Sequence, residues 1–131
     1  MTSGLLDTSV IIDWDDPAVL EALPDQVAVS AITVAELAAG PHLASTAAEA
    51  ASRQARLQEV ESKFEPIPFD TAAARSYGQI VAAAADVGRK HRRRVADLMI
   101  AATAHASGLD LYTRNIDDFA GLQDLVTVVE I

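Results

Sequence analysis

Short apolar segments, most of which end at a polar residue, alternate along this sequence with helical segments. The apolar segments are GLLDT (4–8), QVAVS (26–30), LDLYT (109–113) and LVTVVEI (125–131). The longest helical segments run over 45–64, 71–87 and about 95–107. Apolar strands separated by helices are typical of a parallel sheet that is covered on both faces. We therefore predict an α/β fold, a three-layer α/β/α sandwich with a central parallel sheet, in a single domain over residues 1–131.

The residue content excludes several kinds of site and guides the expected location. The chain has no cysteine, which excludes disulfides, zinc–thiolate centres and thiol nucleophiles. No apolar run approaches the roughly 18 residues of a membrane span. The N-terminus lacks a basic region and reaches Asp7 too early for a signal peptide. We expect a cytoplasmic protein with no membrane association.

Positive charge is concentrated in one short segment of an acidic protein. The net charge is −9, yet five of the ten Lys and Arg residues fall within residues 89–94. An acidic body repels polyanions, whereas a local basic patch can hold a phosphate backbone. A solvated loop or helix end is the alternative interpretation of this segment.

Polar residues follow the predicted strands at their carboxyl ends, which lie along one edge of a parallel sheet. Asp7 ends the first strand, and Glu36 lies in the first turn of a helix predicted to begin at Thr33. Asp97 lies in the first turn of the helix after the basic segment, and Asn115 follows the fourth strand. Nearby positions at the same edge are Ser9, Thr113, Arg114, Asp117 and Asp118.

Each of these acids also has a purely structural interpretation. Asp7 could cap the turn that follows it, and Thr33 with Glu36 has the spacing of a capping box. Asp97 could offset the positive end of its helix, and the acids of NIDDF could cap a short turn. Taken together, however, carboxylates that converge on one crevice need a raised pKa or a divalent cation. Magnesium or manganese prefers oxygen ligands, and such a cluster suits phosphoryl chemistry because the metal activates water and stabilises phosphate charge.

Four segments resemble, in order, the four motifs of PIN-domain proteins. They are LLDTSVII, SAITVAEL, ADLMIAATA and LYTRNIDDF, and the resemblance spans nearly the whole chain. It is nearest to the VapC toxins of bacterial toxin–antitoxin pairs and their FitB-like relatives. The resemblance implies a Mg²⁺- or Mn²⁺-dependent endoribonuclease toxin that cleaves a structured RNA, such as a transfer RNA or a ribosomal RNA loop. It also implies a VapB-like antitoxin as partner, a homodimer and a toxin–antitoxin hetero-oligomer.

The same resemblance implies roles for individual residues. Asp7 and Asp97 look like the principal metal ligands, and Glu36 like the third acid, which binds the metal or orients the attacking water. The fourth position of the motif is Asp or Asn, and here it is Asn115. An amide adds no charge, which leaves the number of metal ions open, and Asp117 is a possible fourth acid. Asp118 is expected to be a turn cap.

Other residues have two interpretations each. The RNA contacts that we predict are Arg92, Arg93, Arg94 and Arg114, against plain solvation or an acid partner. Ser9 either bonds to the acid cluster or caps the next helix. Trp14 is interpreted as a core or dimer-interface anchor rather than a base-stacking residue. Helix 45–64 forms either part of an antitoxin groove or ordinary core packing.

Two other functions compete with the nuclease. A PIN-like module without catalytic activity would bind RNA or a partner, and Asn115 in place of an acid is its main support. An aspartate-nucleophile phosphatase or a receiver domain also places an Asp after its first strand. That chemistry usually needs a second acid two residues after Asp7, and Ser9 stands there instead. A receiver also uses a Lys at the end of a late strand, which LDLYT lacks.

Overall fold

The structure, a computed structural model, describes residues 1–88 and 94–131. The predicted RNA contacts Arg92 and Arg93, with most of the basic segment, lie outside the described residues. The strands are β1 (Ser3–Leu6), β2 (Gln26–Ala28), β3 (Asp110–Thr113) and β4 (Val128–Glu130). The α-helices are α1 (Thr8–Ile12), α2 (Pro17–Ala22), α3 (Ala31–Ala39), α4 (Ala47–Lys63), α5 (Thr71–Asp86) and α6 (Val95–Ser107). Two 3₁₀ turns cover Gly40–Leu43 and Ile116–Phe119.

The described strands form one parallel sheet in the order β2-β1-β3-β4. Leu5 of β1 pairs with Ala28 of β2 on one side and with Leu111 of β3 on the other. Since all pairings are parallel, the carboxyl ends of the strands lie along the same edge. This edge is where the predicted site residues were expected.

Two separate hydrophobic cores cover the two faces of the sheet. Leu5 and Leu111 point to one face and pack with buried residues of α5 and α6, among them Ile80. Leu6 and Tyr112, the next residues along each strand, point to the other face and pack with residues from α1 to α4. This alternation follows from the two-residue period of a strand. The three-layer α/β/α sandwich is confirmed.

The long helices agree closely with the predicted segments. Helix α4 begins after Thr46, whose side chain accepts from the N–H of Glu49, and α5 begins after Asp70 in the same way. Helix α6 ends at Gly108, which adopts φ 66°. On α4, Leu57 and Val60 are buried as their shared face predicts. Within the described part of the chain, no helix is both long and apolar enough to cross a membrane.

The third helix begins earlier than predicted. Ser30, rather than a later residue, is the N-cap, because its hydroxyl accepts from the N–H of Thr33. Helix α3 therefore starts at Ala31, and Glu36 lies in its second turn instead of its first. The capping-box interpretation of Thr33 and Glu36 is wrong, since the first-turn amide groups are already served by Ser30. The carboxylate of Glu36 therefore does not cap α3.

Gly4, in the middle of the sheet, leaves space for the ring of Tyr112. A Cβ atom at Gly4 would lie 2.4 Å from two ring carbons of Tyr112 and 3.1 Å from Cγ of Pro24. We expect Gly4→Ala to lower the free energy of unfolding by about 1–2 kcal/mol, because the buried ring would have to move. Urea unfolding measures this change, and Gly78→Ala is the control, since its Cβ would meet no atom within 4 Å. Equal stability of the Gly4 variant and the parent would contradict the expected clash.

Candidate active site

Asp7 lies directly after β1 and is buried, with 4% of its surface exposed. Its Oδ2 accepts hydrogen bonds from the hydroxyls of Ser9 and Thr113, each at 2.8 Å. Asp7 occupies the N-cap position of α1, yet its carboxylate accepts from these side chains rather than serving the helix amides. Two neutral donors on one oxygen fix the orientation of the carboxylate without cancelling its charge. Ser9 therefore belongs to the acid cluster, as one of its two interpretations proposed.

Glu36 projects from α3 toward the start of α1. Its Oε1 accepts a 2.6 Å hydrogen bond from the hydroxyl of Thr8, which also lies 3.0 Å from the hydroxyl of Thr33. Glu36 itself is exposed. The sequence analysis does not identify Thr8 as a site residue. Its position directly after Asp7 is the signal that could have identified it. The Thr8–Glu36 bond brings the second motif to the first.

Asp97, in the first turn of α6, is the most perturbed acid of this edge. The pKa of its carboxyl is raised from 3.8 to about 6, first by burial and then by the negative charges of Asp7, Asp118 and Glu36, against the opposing effect of Arg94. Four carboxylates therefore interact electrostatically at this edge of the sheet. We refer to Asp7, Glu36, Asp97 and Asp118 as the acid edge.

The sequence predicts Asp118 as a turn cap, and this prediction is wrong. Asn115 is the N-cap residue of the 3₁₀ turn Ile116–Phe119, and Asp118 lies inside the turn. Its Oδ1 accepts a hydrogen bond from Nη1 of Arg94, and the same nitrogen lies 3.7 Å from Oδ2 of Asp97. Asp118 therefore faces the acid edge and carries a cation there. Sequence spacing gave no signal for this pair, because 24 residues separate its members.

Asn115 shapes the backbone after β3. Its N–H donates to the hydroxyl of Thr113 at 3.0 Å, and its carbonyl accepts from the N–H of Asp118 at 3.0 Å. The residue is exposed. The proposed roles of Asn115 as a catalytic residue and of Asp117 as a fourth acid stay predictions.

Arg114 is held by acids of the turn between α1 and α2. Its Nη1 donates to Oδ2 of Asp16 at 3.2 Å, and its Nε lies 3.4 Å from Oδ2 of Asp13. Its backbone N–H also donates to the hydroxyl of Ser9 at 3.0 Å. Of the two interpretations of Arg114, pairing with an acid describes this arrangement. Contact with RNA stays a prediction.

A cleft of about 440 Å³ opens next to Thr8 and Glu36, between α1, α3 and α4. Its walls include Ile12 and Leu37, and Arg53 and Arg56 line its α4 side. Arg53 donates to the carbonyl of Gly40 at 2.8 Å and pairs with Glu49. The cleft has apolar walls and a charged rim beside the acid edge.

Trp14 packs edge-on against Phe64, with ring centroids 6.2 Å apart, which agrees with the core interpretation of this tryptophan.

The donor atoms at this edge are hard oxygens, and the acids repel one another. Among residues 1–88 and 94–131, no group of three His, Asp or Glu side chains lies close enough to form a complete metal site. Magnesium often keeps several waters and binds through one or two carboxylates, so a pair of acids is a sufficient protein contribution. Part of the rise in the pKa of Asp97 comes from the negative charges of Asp7, Asp118 and Glu36, and added positive charge would relieve this repulsion. The residues present therefore fit a hard divalent ion.

Comparison with known proteins identifies the family of this chain. The sequence model of the PIN domain matches residues 4–124. The chain belongs to the PIN-domain family. This PIN domain contains all the predicted catalytic residues within the matched range, from Asp7 to Asn115.

Individual relatives of this PIN domain are similar over nearly their whole length. Ribonuclease VapC5 of Mycobacterium tuberculosis is 38% identical over 128 residues, which cover 96% of this chain and 92% of that protein. A crystal structure of VapBC-5, a toxin–antitoxin family member from the same organism, superposes with a TM-score of 0.83 at 37% identity, covering 100% and 98% of the two chains. FitAcB of Neisseria gonorrhoeae gives a TM-score of 0.76 at 34% identity, with 95% of each chain covered.

Proposed function

We propose that this PIN domain is a Mg²⁺- or Mn²⁺-dependent endoribonuclease and the toxin of a type II toxin–antitoxin pair. The observation that carries the proposal is the acid edge, where the charges of Asp7 and Glu36, from two other motifs, act on the carboxyl of Asp97. Relatives named as VapC ribonucleases support the activity, and the toxin–antitoxin structures support the biological role. The substrate proposed is a structured RNA, a transfer RNA or a ribosomal RNA loop.

Asp7 and Asp97 would hold the metal ion. When bound, a divalent ion lowers the pKa of water and stabilises the charge that develops on a phosphate. Two hydroxyls fix Oδ2 of the Asp7 carboxylate, so its other oxygen would bind the ion. Asp97 contributes a carboxylate whose pKa is raised by burial and by neighbouring negative charges, and a bound cation would stabilise its ionised form.

The remaining residues of the site position the reactants. Glu36, whose Oε1 is fixed by Thr8, would accept a hydrogen bond from the attacking water and orient it toward the phosphate. Asn115 would donate or accept at the same edge without adding charge. Arg94 and Arg114, with Arg92 and Arg93, would hold the phosphate backbone.

The cleft between α3 and α4 is our candidate for the antitoxin. Ile12 and Leu37 offer apolar contacts. Acidic residues of a VapB-like segment would compete for Arg53 and Arg56 with their partners in this chain, which are Glu49 for Arg53 and Asp15 and Glu59 for Arg56. A segment bound there would lie next to Glu36 and restrict access to the acid edge. A homodimer and a toxin–antitoxin hetero-oligomer, assembled in the cytoplasm, complete the proposal.

The test is a cleavage assay with protein that has been freed of any antitoxin. Total bacterial RNA would be incubated with Mg²⁺, Mn²⁺ or EDTA, and the new 5′ ends would be mapped. We expect a few discrete ends that depend on the metal. The module without catalytic activity predicts instead RNA binding that weakens with salt and produces no new ends. Intact RNA in every lane, from folded protein, would contradict the nuclease.

Thr113 is expected to act through Asp7. Thr113→Val keeps the shape of the side chain but removes the hydroxyl that donates to Asp7 and accepts from Asn115. We expect about 10- to 100-fold weaker Mn²⁺ binding and slower cleavage, which is the usual effect of losing a group that orients a ligand. Calorimetric titration with MnCl₂ measures the affinity, and Thr113→Ser should restore most of it. An unchanged affinity in the valine variant would remove Thr113 from the site.

A further inference from the structure

Arg94 lies directly before α6 and joins two parts of the acid edge that are distant in sequence. Its Nη1 donates to Asp118 of the 3₁₀ turn and lies 3.7 Å from Oδ2 of Asp97. Only 33% of the Arg94 side chain is exposed, together with 25% of Asp97 and 26% of Asp118. Charges that are shielded from water to this degree are screened by salt less than surface pairs.

The four acids of the edge have partners of different kinds. Asp7 accepts from the hydroxyls of Ser9 and Thr113, and Glu36 accepts from the hydroxyl of Thr8. Hydroxyls are neutral, so these bonds bring no positive charge to Asp7 or Glu36. Asp118 instead bonds to a guanidinium, which cancels its charge inside the chain.

We propose that Arg94 is a fixed second cation of the acid edge, so that the site takes one divalent ion and Asp118 is not among its ligands. This inference rests on the proposed metal-dependent function. One divalent ion together with the guanidinium brings the four carboxylates close to neutrality. A second divalent ion would have to separate Arg94 from Asp118 before it could bind.

The chemistry of a guanidinium suits this role. In two-metal sites the second ion stabilises charge on one of the reacting phosphate oxygens. Arg94 contacts Asp97 and Asp118 through Nη1, and a guanidinium has five N–H donors in a planar fork that matches phosphate oxygens. Arg94 thus supplies from the chain a positive charge that is held in place by Asp118.

The test counts metal ions by calorimetric titration of the full chain with MnCl₂. We expect one Mn²⁺ per chain for the parent and a second, weaker Mn²⁺ for Arg94→Gln, because Asp118 then becomes a free carboxylate. The double variant Arg94→Gln with Asp118→Asn should return to one ion. Circular dichroism and urea unfolding establish that each variant is folded.

The outcomes separate this inference from the proposed function. Two ions on the parent, or a single ion of unchanged affinity on Arg94→Gln, would overturn the role of Arg94 and leave the nuclease proposal intact. If Arg94→Gln does not fold, Asp118→Asn alone decides, because it must still bind one ion, and loss of binding would make Asp118 a ligand. A folded parent that binds no Mn²⁺ would contradict the proposed function itself, and the inference with it.

Discussion

Replacing Asp97 by Asn is expected to lower the rate of RNA cleavage by about 100-fold or more while leaving the fold intact. The substitution preserves the size of the side chain but removes one of the two carboxylates proposed to hold the metal. Loss of groups that merely orient a ligand already costs about 10- to 100-fold, and loss of the ligand should cost at least as much. The rate would be measured on the RNA whose cleavage site the 5′-end mapping has identified.

Asp110→Asn is the matched control for this experiment. Asp110 is an exposed acid at the start of β3, at the end of that strand opposite the site, so the same chemical change occurs far from the acid edge. We expect the control to cleave at the parent rate. Cleavage by Asp97→Asn at the parent rate would show that Asp97 is not a ligand and would remove the basis of the metal proposal.

The sheet and the main helices were predictable because their signals are local. Leu5 and Leu111 lie in apolar runs, and the periodic helix over 45–64 corresponds to α4 with only its terminal residues removed. Asp7 and Asp97 were predictable as neighbours because parallel strands bring their carboxyl ends to one edge. Glu36 was predicted at the correct edge of the sheet but in the first turn of its helix. It lies in the second turn, because the helix begins after Ser30, two residues before the predicted start.

The ion pairs of the site were not predictable, because side-chain pairing over long sequence separations has no local signal. The sequence indicates that Arg94 and Arg114 are cations near acids, but it does not say which acids. In the fold, Arg94 pairs with Asp118, and Arg114 pairs with acids of the turn after α1. The prediction that Asp118 caps a turn was wrong for the same reason. Its role depends on the side chain of Arg94, which lies directly before α6.

The free energy of unfolding is expected to rise in Asp97→Asn at neutral pH in the absence of divalent metal. Folding raises the pKa of Asp97 from 3.8 to about 6, so the folded state holds this proton more tightly than the unfolded state. The stability of the parent should therefore fall as pH rises from about 4 to 6 and stay at the lower value above that range. Asn does not titrate, so the variant escapes this loss. Its advantage should be small below pH 4 and reach about 1–3 kcal/mol at pH 7.5.

Urea unfolding in EDTA at pH 4 and at pH 7.5 separates this effect from a general change in packing. A gain at pH 7.5 that disappears at pH 4 has the pH dependence of one carboxyl group, whereas a packing effect would persist at both values. Asp110→Asn should give no such difference, because its side chain is exposed at the other end of β3. A variant less stable than the parent at pH 7.5 would contradict the electrostatic argument. A gain there would mean that the acid edge lowers the stability of the metal-free fold, as expected for a site arranged to bind a cation.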